Sequence, residues 1–371
     1  MPEPIYLDYN ATAPVRPEAA RAVADAMAAV GNASSVHRFG RDARRRVEHA
    51  REQVAGLVGA TPPQIVFTAG GTEANNLALG AHAERRVLVS AVEHDSVLRT
   101  LAHAEVLPVN ADGRVDLDAL DAKLAAQPAP ALVSVMLANN ETGVVQPVGD
   151  IAAMCRAHGV RVHCDAVQAA GKIDVDVAGL GVDLLTLSAH KLGGPQGAGA
   201  LVVTDDRPLM PHMRGGGQER GYRAGTENVP AIAGFGVAAE MARGEGAHMA
   251  RLGEWRDALE ANAMKHAPDR IVHGAGAPRL PNTTCLGLPG VAAETQLMKL
   301  DLGGVAVSSG SACSSGKVHD SHVLAAMGVA EPGTAIRVSM GWNTRAADLD
   351  RFLEVWARLA AKRRPADAAA A

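Results

Sequence analysis

Aromatic side chains are nearly missing from this chain: three Trp, three Tyr and four Phe among 371 residues. Proteins that hold single-stranded nucleic acid stack its bases on aromatic rings, and this composition excludes such a platform. An excess of either charge is also missing. The net charge is -4 and the isoelectric point about 6.4, so a polyanionic partner is not indicated. No apolar run of 18 residues is free of charge, so no membrane-spanning helix is expected. The opening Met-Pro-Glu-Pro-Ile-Tyr-Leu-Asp has neither the basic start nor the apolar centre of a secretory signal. Cysteine is sparse. Cys155, Cys164, Cys285 and Cys313 show no CxxC spacing, so they spell neither a zinc site nor a dithiol motif, and a reducing, cytosolic setting is expected. The Rossmann fingerprint is absent too, because the glycines of 193–199 lack the strand–turn–helix context and the downstream acid.

What is present is an alternation of strands and helices. Helices are expected at 17–30 and 41–58. The second carries the one basic run, Arg41 to Arg46, opposite an apolar face of Val47, Ala50, Val54 and Leu57, which reads as a solvated face. Strands follow at 65–68, 87–90, 105–109, 131–137, 160–164, 184–187 and 200–203, separated by helical segments such as 73–79, 95–104, 116–126 and 150–158. Such crossovers imply an α/β fold with a mostly parallel sheet covered on both faces. After about residue 250 the texture becomes that of a smaller α+β unit: helices 251–266, 293–301, 321–327 and 347–363, short strands near 271, 283–287 and 335–340, and a serine-rich loop at 308–317. We therefore expect a large domain over 16–250, and a small one formed by 1–15 with 251–371.

Eight stretches carry possible chemistry. Ser188-Ala-His190-Lys191 ends an apolar strand and meets a glycine-rich turn. A desolvated Lys amine loses its proton more readily and can form a Schiff base, although a strand-end Lys can also simply snorkel. Gly70-Gly71-Thr72-Glu73 opens a helix whose free N–H groups suit a phosphate, unless Thr72 is an ordinary cap. His94 follows a strand and either stacks on a flat ligand and moves protons or satisfies its loop. Asn139-Asn140-Glu-Thr-Gly offers donors and acceptors, or a turn. Asp165 ends a buried strand and needs a cationic partner, such as a pyridinium nitrogen or a structural Arg. Cys164 beside it reads as a small buried hydrophobe. The run from Arg214 to Asn228 is a flexible, anion-friendly loop. Cys313 sits in Ser308-Ser-Gly-Ser-Ala-Cys313-Ser-Ser-Gly-Lys, a setting for a mobile thiol or a bland surface one. Arg337 lies within a strand and should hold a carboxylate, from the protein or from a ligand.

Taken in order, these motifs and the opening Tyr6-Leu-Asp-Tyr-Asn-Ala-Thr-Ala-Pro resemble the cysteine desulfurases of the NifS and IscS type. These are class V aminotransferases among the pyridoxal 5'-phosphate (PLP) enzymes of fold type I, and the likeness runs from about residue 5 to 357. The chain has no counterpart of the longer IscS C-terminal segment, which points to the NifS-like side. The resemblance implies a seven-stranded, mostly parallel sheet in the large domain and the Cys loop in the small one. It implies that Lys191 binds PLP covalently, Asp165 pairs with the ring nitrogen, His94 stacks on the ring and handles protons, and Gln168 bonds the ring oxygen. Gly71, Thr72, Ser188 and His190 would bind the phosphate, with Thr226 supplied by the partner of a homodimer. Asn140 and Arg337 would take the carboxylate of L-cysteine, with Asn140 also beside the cofactor. Cys313 would attack the substrate sulfur and keep it as a persulfide, releasing alanine, for delivery to an iron–sulfur scaffold or another sulfur acceptor. Selenocysteine lysis or another PLP-dependent elimination, and a sulfur relay without catalysis, are the alternatives.

Overall fold

A computed structural model describes residues 3–309 and 320–362. The short strand β1 (Ile5–Tyr6) pairs in parallel with β11 (Val305–Ala306). Seven strands form the main sheet: β2 (Ile65–Thr68), β3 (Val87–Ser90), β4 (Glu105–Leu107), β5 (Leu132–Ser134), β6 (Arg161–Asp165), β7 (Leu184–Ser188) and β8 (Gly199–Val203). Their order is β2-β8-β7-β6-β5-β3-β4, parallel from β7 to β4, with β8 antiparallel to both its neighbours. Every residue of β2, β3 and β5 to β8 is buried. That is why they read as continuous apolar runs rather than alternating ones. The C-terminal ends of β3, β5, β6 and β7, and of β2, lie along one edge of the sheet, where ligands of open α/β sheets bind.

Several sequence expectations change in extent. The helix expected over 95–104 is only Asp95–Leu98, because residues 99–104 form turns instead. The strand expected over 131–137 pairs as Leu132–Ser134. Its continuation still donates from Val135 and Leu137 to the carbonyls of His163 and Asp165. A helix over Val229–Arg243 was not foreseen. Its Ala- and Gly-rich sequence is apolar all round and lacks the amphipathic period, but Asn228 caps it and Pro230 stands in its first turn. It packs against helices Pro17–Ala28 and Arg38–Leu57, so closely that a side chain at Gly236 would meet Ala50 at 2.6 Å. Val47, Ala50, Val54 and Leu57 face this contact, and the basic run lies outward as expected.

A second sheet is antiparallel, in the order β12-β13-β10-β9: β9 (Ile271–Val272), β10 (Thr283–Gly287), β12 (Ser308–Ser309) and β13 (Ala335–Ser339). An apolar cluster of its own joins Leu7 to side chains between Met249 and Ala360, centred on Ile336, Phe352 and Trp356. The N-terminal segment ties this part to the main sheet. Leu7 and Tyr9 bond the backbone of β13, while Ala13 bonds the carbonyl of His190. The remainder of the serine-rich loop, Cys313 included, falls outside the described residues.

Candidate active site

A cavity of about 380 Å³ opens at that sheet edge, between the main sheet and β13. Lys191 enters it from a single 3-10 turn, Ala189–Lys191, at the end of β7. Its Nζ donates to the carbonyls of Asn10 (2.5 Å) and Ala11 (2.7 Å). Burial, reinforced by the nearby Arg337 guanidinium, lowers its amine to about 8. A sizeable neutral fraction near physiological pH is what a nucleophilic amine requires.

Asp165 ends β6 on the cavity wall, and both its oxygens are held. Oδ1 accepts from the Val167 N–H at 2.9 Å and Oδ2 from Asn75 Nδ2 at 2.8 Å. Asn75 also donates to Ser96 Oγ at 2.9 Å. The Ser96 hydroxyl therefore gives its hydrogen to His94 Nδ1, 2.8 Å away, and the Ser96 N–H reaches the same nitrogen at 3.1 Å. With two donors on Nδ1, a neutral His94 carries its proton on Nε2. Asn75 and Ser96 were not singled out from sequence. Asn75 follows the Gly70–Glu73 turn closely, but only the folded helix Gly71–Gly80 turns it towards Asp165.

Gly71, Thr72, Ser188 and His190 line this cavity and also an adjoining one beside Gly197. Gly71 and Thr72 stand at a helix N-terminus, whose first N–H groups have no partner within the helix. Glycine suits 71, because a Cβ would stand 3.0 Å from Val167 Cγ2 and press that side chain aside. Burial, then Lys191, lowers His190 to about 4, so its ring is neutral, and its Nδ1 lies 3.1 Å from Thr12 Oγ1. Thr226 is exposed and does not line either cavity of its own chain.

At the opposite end, Arg337 extends from β13 into the cavity. One of its amino groups meets Asp8 at 2.6 Å and the other the carbonyl of Asn140 at 3.1 Å, while its buried Nε has no partner among the described residues. The paired asparagines divide their work. The Asn139 side chain accepts from the Glu141 and Thr142 N–H groups and builds the turn, whereas Asn140 lines the cavity. Gln168 lines it as well, donating to the Asn10 carbonyl at 2.9 Å. His322 is a further lining residue that sequence did not flag; its Nε2 lies 2.9 Å from the Glu93 carbonyl. Glu93 itself is fully buried, and burial pushes its carboxyl well above the ordinary range. Lys191, His94, Asp165, Gln168, Asn140, Arg337, Gly71, Thr72, Ser188 and His190 thus surround one cavity, although they come from six separate parts of the chain.

The class-V aminotransferase family model matches residues 5–352. A cysteine desulfurase of Cereibacter sphaeroides is 45% identical, covering 95% of both chains. An IscS-like cysteine desulfurase of Mycobacterium tuberculosis is 41% identical, covering 99% of this chain and 98% of that one. Among solved structures, a NifS-like protein from Rickettsia africae superposes with a TM-score of 0.90 at 35% identity, covering 96% of this chain and 99% of the other. The chain therefore belongs to the class-V aminotransferases and, within them, to the cysteine desulfurases.

Proposed function

We propose that this cavity holds PLP and that Lys191, Asp165 and His94 perform the desulfuration of L-cysteine around it. The observation that carries the reading is the pairing of a lysine amine lowered to about 8 with a carboxylate that ends a buried strand on the same cavity wall. The residues present fit the cofactor. The glycine cradle at Gly71 and the helix N-terminus suit its phosphate, and the doubly held Asp165 suits its ring nitrogen. When bound, PLP supplies an electron sink conjugated to the substrate α-carbon. Lys191 would anchor the cofactor, and its amine would take the substrate α-proton. His94 would lie beside the cofactor and offer its Nε2 proton into the cavity. Arg337, whose Nε has no partner and whose one charged partner is Asp8 among the described residues, receives the substrate carboxylate beside Asn140.

The sulfur acceptor within the chain is Cys313. The other three thiols are buried and protonated: burial pushes Cys155 up to about 12, and Cys164 and Cys285 well above their ordinary value. The Cys313 thiolate attacks the substrate sulfur, the carbon–sulfur bond breaks, and the carbon takes up a proton on the way to alanine, leaving a persulfide on Cys313. We read residues 16–250 as the domain carrying the cofactor site, and 1–15 with 251–371 as the domain carrying Cys313. The separate apolar clusters support that division. A homodimer is part of the reading, since exposed Thr226 is free to reach a second copy's phosphate site. None of the described helices is long and apolar enough to cross a membrane, and we place the enzyme in the cytoplasm, delivering sulfur to an iron–sulfur scaffold or another acceptor protein.

The test is the absorption spectrum of purified protein with and without L-cysteine. A cofactor band, lost in Lys191→Ala and kept in Cys313→Ala, is expected. Alanine and sulfur release should be lost in both variants. A protein that stays colourless after incubation with PLP would overturn the assignment.

A further inference from the structure

A second lysine lies behind the cavity wall, outside every role assigned so far. Lys172 is only 8% exposed. Buried lysines are rare unless paired or used. Among the described residues no carboxylate lies within ion-pair distance of Lys172. Its Nζ meets two amide oxygens instead, Gln168 Oε1 at 2.7 Å and Asn10 Oδ1 at 2.8 Å. The charged groups that act on it are Lys191 and Arg337, both cationic, while the acids of the cavity, Asp8 and Asp165, act on Lys191. Burial first, then those two cations, holds its amine well below the ordinary range. A neutral amine has two hydrogens, and two acceptors face it.

The geometry fixes the direction of both amides. Backbone carbonyls only accept, so the Gln168 NH2 faces the Asn10 carbonyl at 2.9 Å and the Asn10 NH2 the Asn140 carbonyl at 3.2 Å, which turns both amide oxygens to the Lys172 amine. Asn10 is pinned from a second side by Asn282, 3.2 Å from the same Oδ1. Its own carbonyl is the seat of Lys191 Nζ. One buried amine thus braces Gln168 from its oxygen side and helps to hold the residue on which Lys191 rests.

We propose that Lys172 is a positioning residue of the desulfurase site: it holds the Gln168 amide with its donor towards the cofactor's ring oxygen, and holds Asn10 under Lys191. The proposal rests on the PLP reading above. Without Lys172, Gln168 Oε1 loses its only donor among the described residues, and the amide is held by its bond to the Asn10 carbonyl alone. A donor on the ring oxygen draws electron density from it and loosens the proton shared between that oxygen and the Lys191 nitrogen. Loosening Gln168 should tighten that proton.

The experiment is a pH titration of the cofactor absorption band in the holoenzyme and in Lys172→Met, Gln168→Leu and the double variant. Each single change should raise the midpoint by ~0.5–1 pH unit, a shift ordinary for loss of one hydrogen bond to a charged form. The double variant should shift no further than the larger single one. An unmoved midpoint in Lys172→Met while Gln168→Leu shifts, or fully additive shifts, would overturn the proposal. If the unaltered protein shows no band at all, the PLP reading fails instead, so the two failures are distinguishable. Should Lys172→Met not fold, Gln168→Glu serves. It gives Lys172 a carboxylate, and it should raise the midpoint as Gln168→Leu does while melting higher than that variant. A Gln168→Glu protein that melts lower than Gln168→Leu would show that Lys172 does not contact this side chain.

Discussion

Lys191 must shed a proton before it can react, and its surroundings decide at what pH it does so. Burial and Arg337 remove stability from the ammonium, while Asp8 and Asp165 return part of it, leaving the amine at about 8. Because the neutral amine is the nucleophile, the rate at which cofactor-free protein takes up PLP should rise with pH through about 8 and level off above it. Stopped-flow absorbance across pH 6.5–9.5 would measure this, and a rate flat over that range would contradict it. At the same scale, Asn75 donates to both Asp165 and Ser96, so Asn75→Ala removes one of the two bonds holding the carboxylate. A net loss of ~1–2 kcal/mol follows for a bond to a charged group, which is roughly a tenfold weaker retention of PLP on dialysis.

Two elements carry features that hold the site from a distance. The turn Gln218–Gly221 keeps Glu219 and Arg220 at φ of 43° and 56°, a region costly for residues with a Cβ. Glu219 stays there because Arg51, from the helix Arg38–Leu57, grips both its oxygens at 2.8 and 2.9 Å while the Phe67 N–H donates to one of them. Both side chains are buried, so Arg51→Ala strands a carboxylate and should cost ~3–5 kcal/mol, with Thr226 downstream losing its support. Chemical denaturation measures the loss, and Arg51→Lys should recover only part of it, since an ammonium cannot make the bidentate pair.

In the main sheet, His163 of β6 lies between Ser134 Oγ and Thr186 Oγ1, fully buried, and burial lowers it to about 3. The unfolded chain binds a proton near the ordinary 6.5 and the folded one does not until about 3. Stability is therefore complete above 6.5 and is lost as pH falls between those values, at up to ~1.4 kcal/mol per pH unit from this group. His82 and His190, each lowered to about 4, add to the slope. His163→Gln should flatten the acid limb of a stability–pH curve without changing its plateau slope above pH 7.

At the scale of the whole molecule, the proposed homodimer would have exposed Thr226 complete the phosphate site of a second copy. Lys191→Ala and Thr226→Ala proteins should each retain PLP poorly. Mixed by reversible unfolding, they should form hybrids in which one site has both residues intact, restoring about half a wild-type complement per hybrid. A mixture no better than its components would show that Thr226 serves its own chain.

Much of the chemistry was legible in order along the chain, because reactive residues sit directly after apolar runs that can only be buried strands. Lys191 follows β7, Asp165 ends β6, His94 follows β3, and the parallel crossovers imply that these ends share one edge. The family likeness rested on the same stretches. What the sequence could not show lies in contacts between distant segments. Lys172 reads as an ordinary lysine after a glycine, and only the arrival of Asn10, 162 residues away, turns it into a buried donor. Asp8 and Arg337 are 329 residues apart, yet they meet at 2.6 Å because the segment after β1 bridges to the end of β13, Asp8 against Ser339. The helix Val229–Arg243 escaped for the opposite reason: a segment apolar on every face, with charge only near its end at Glu240 and Arg243, lacks the polar stripe by which periodicity is recognised. The sequence by itself determined which groups could react and along which strands they would stand. The tertiary structure decided their protonation and orientation, since both depend on burial and on partners that local pattern does not contain.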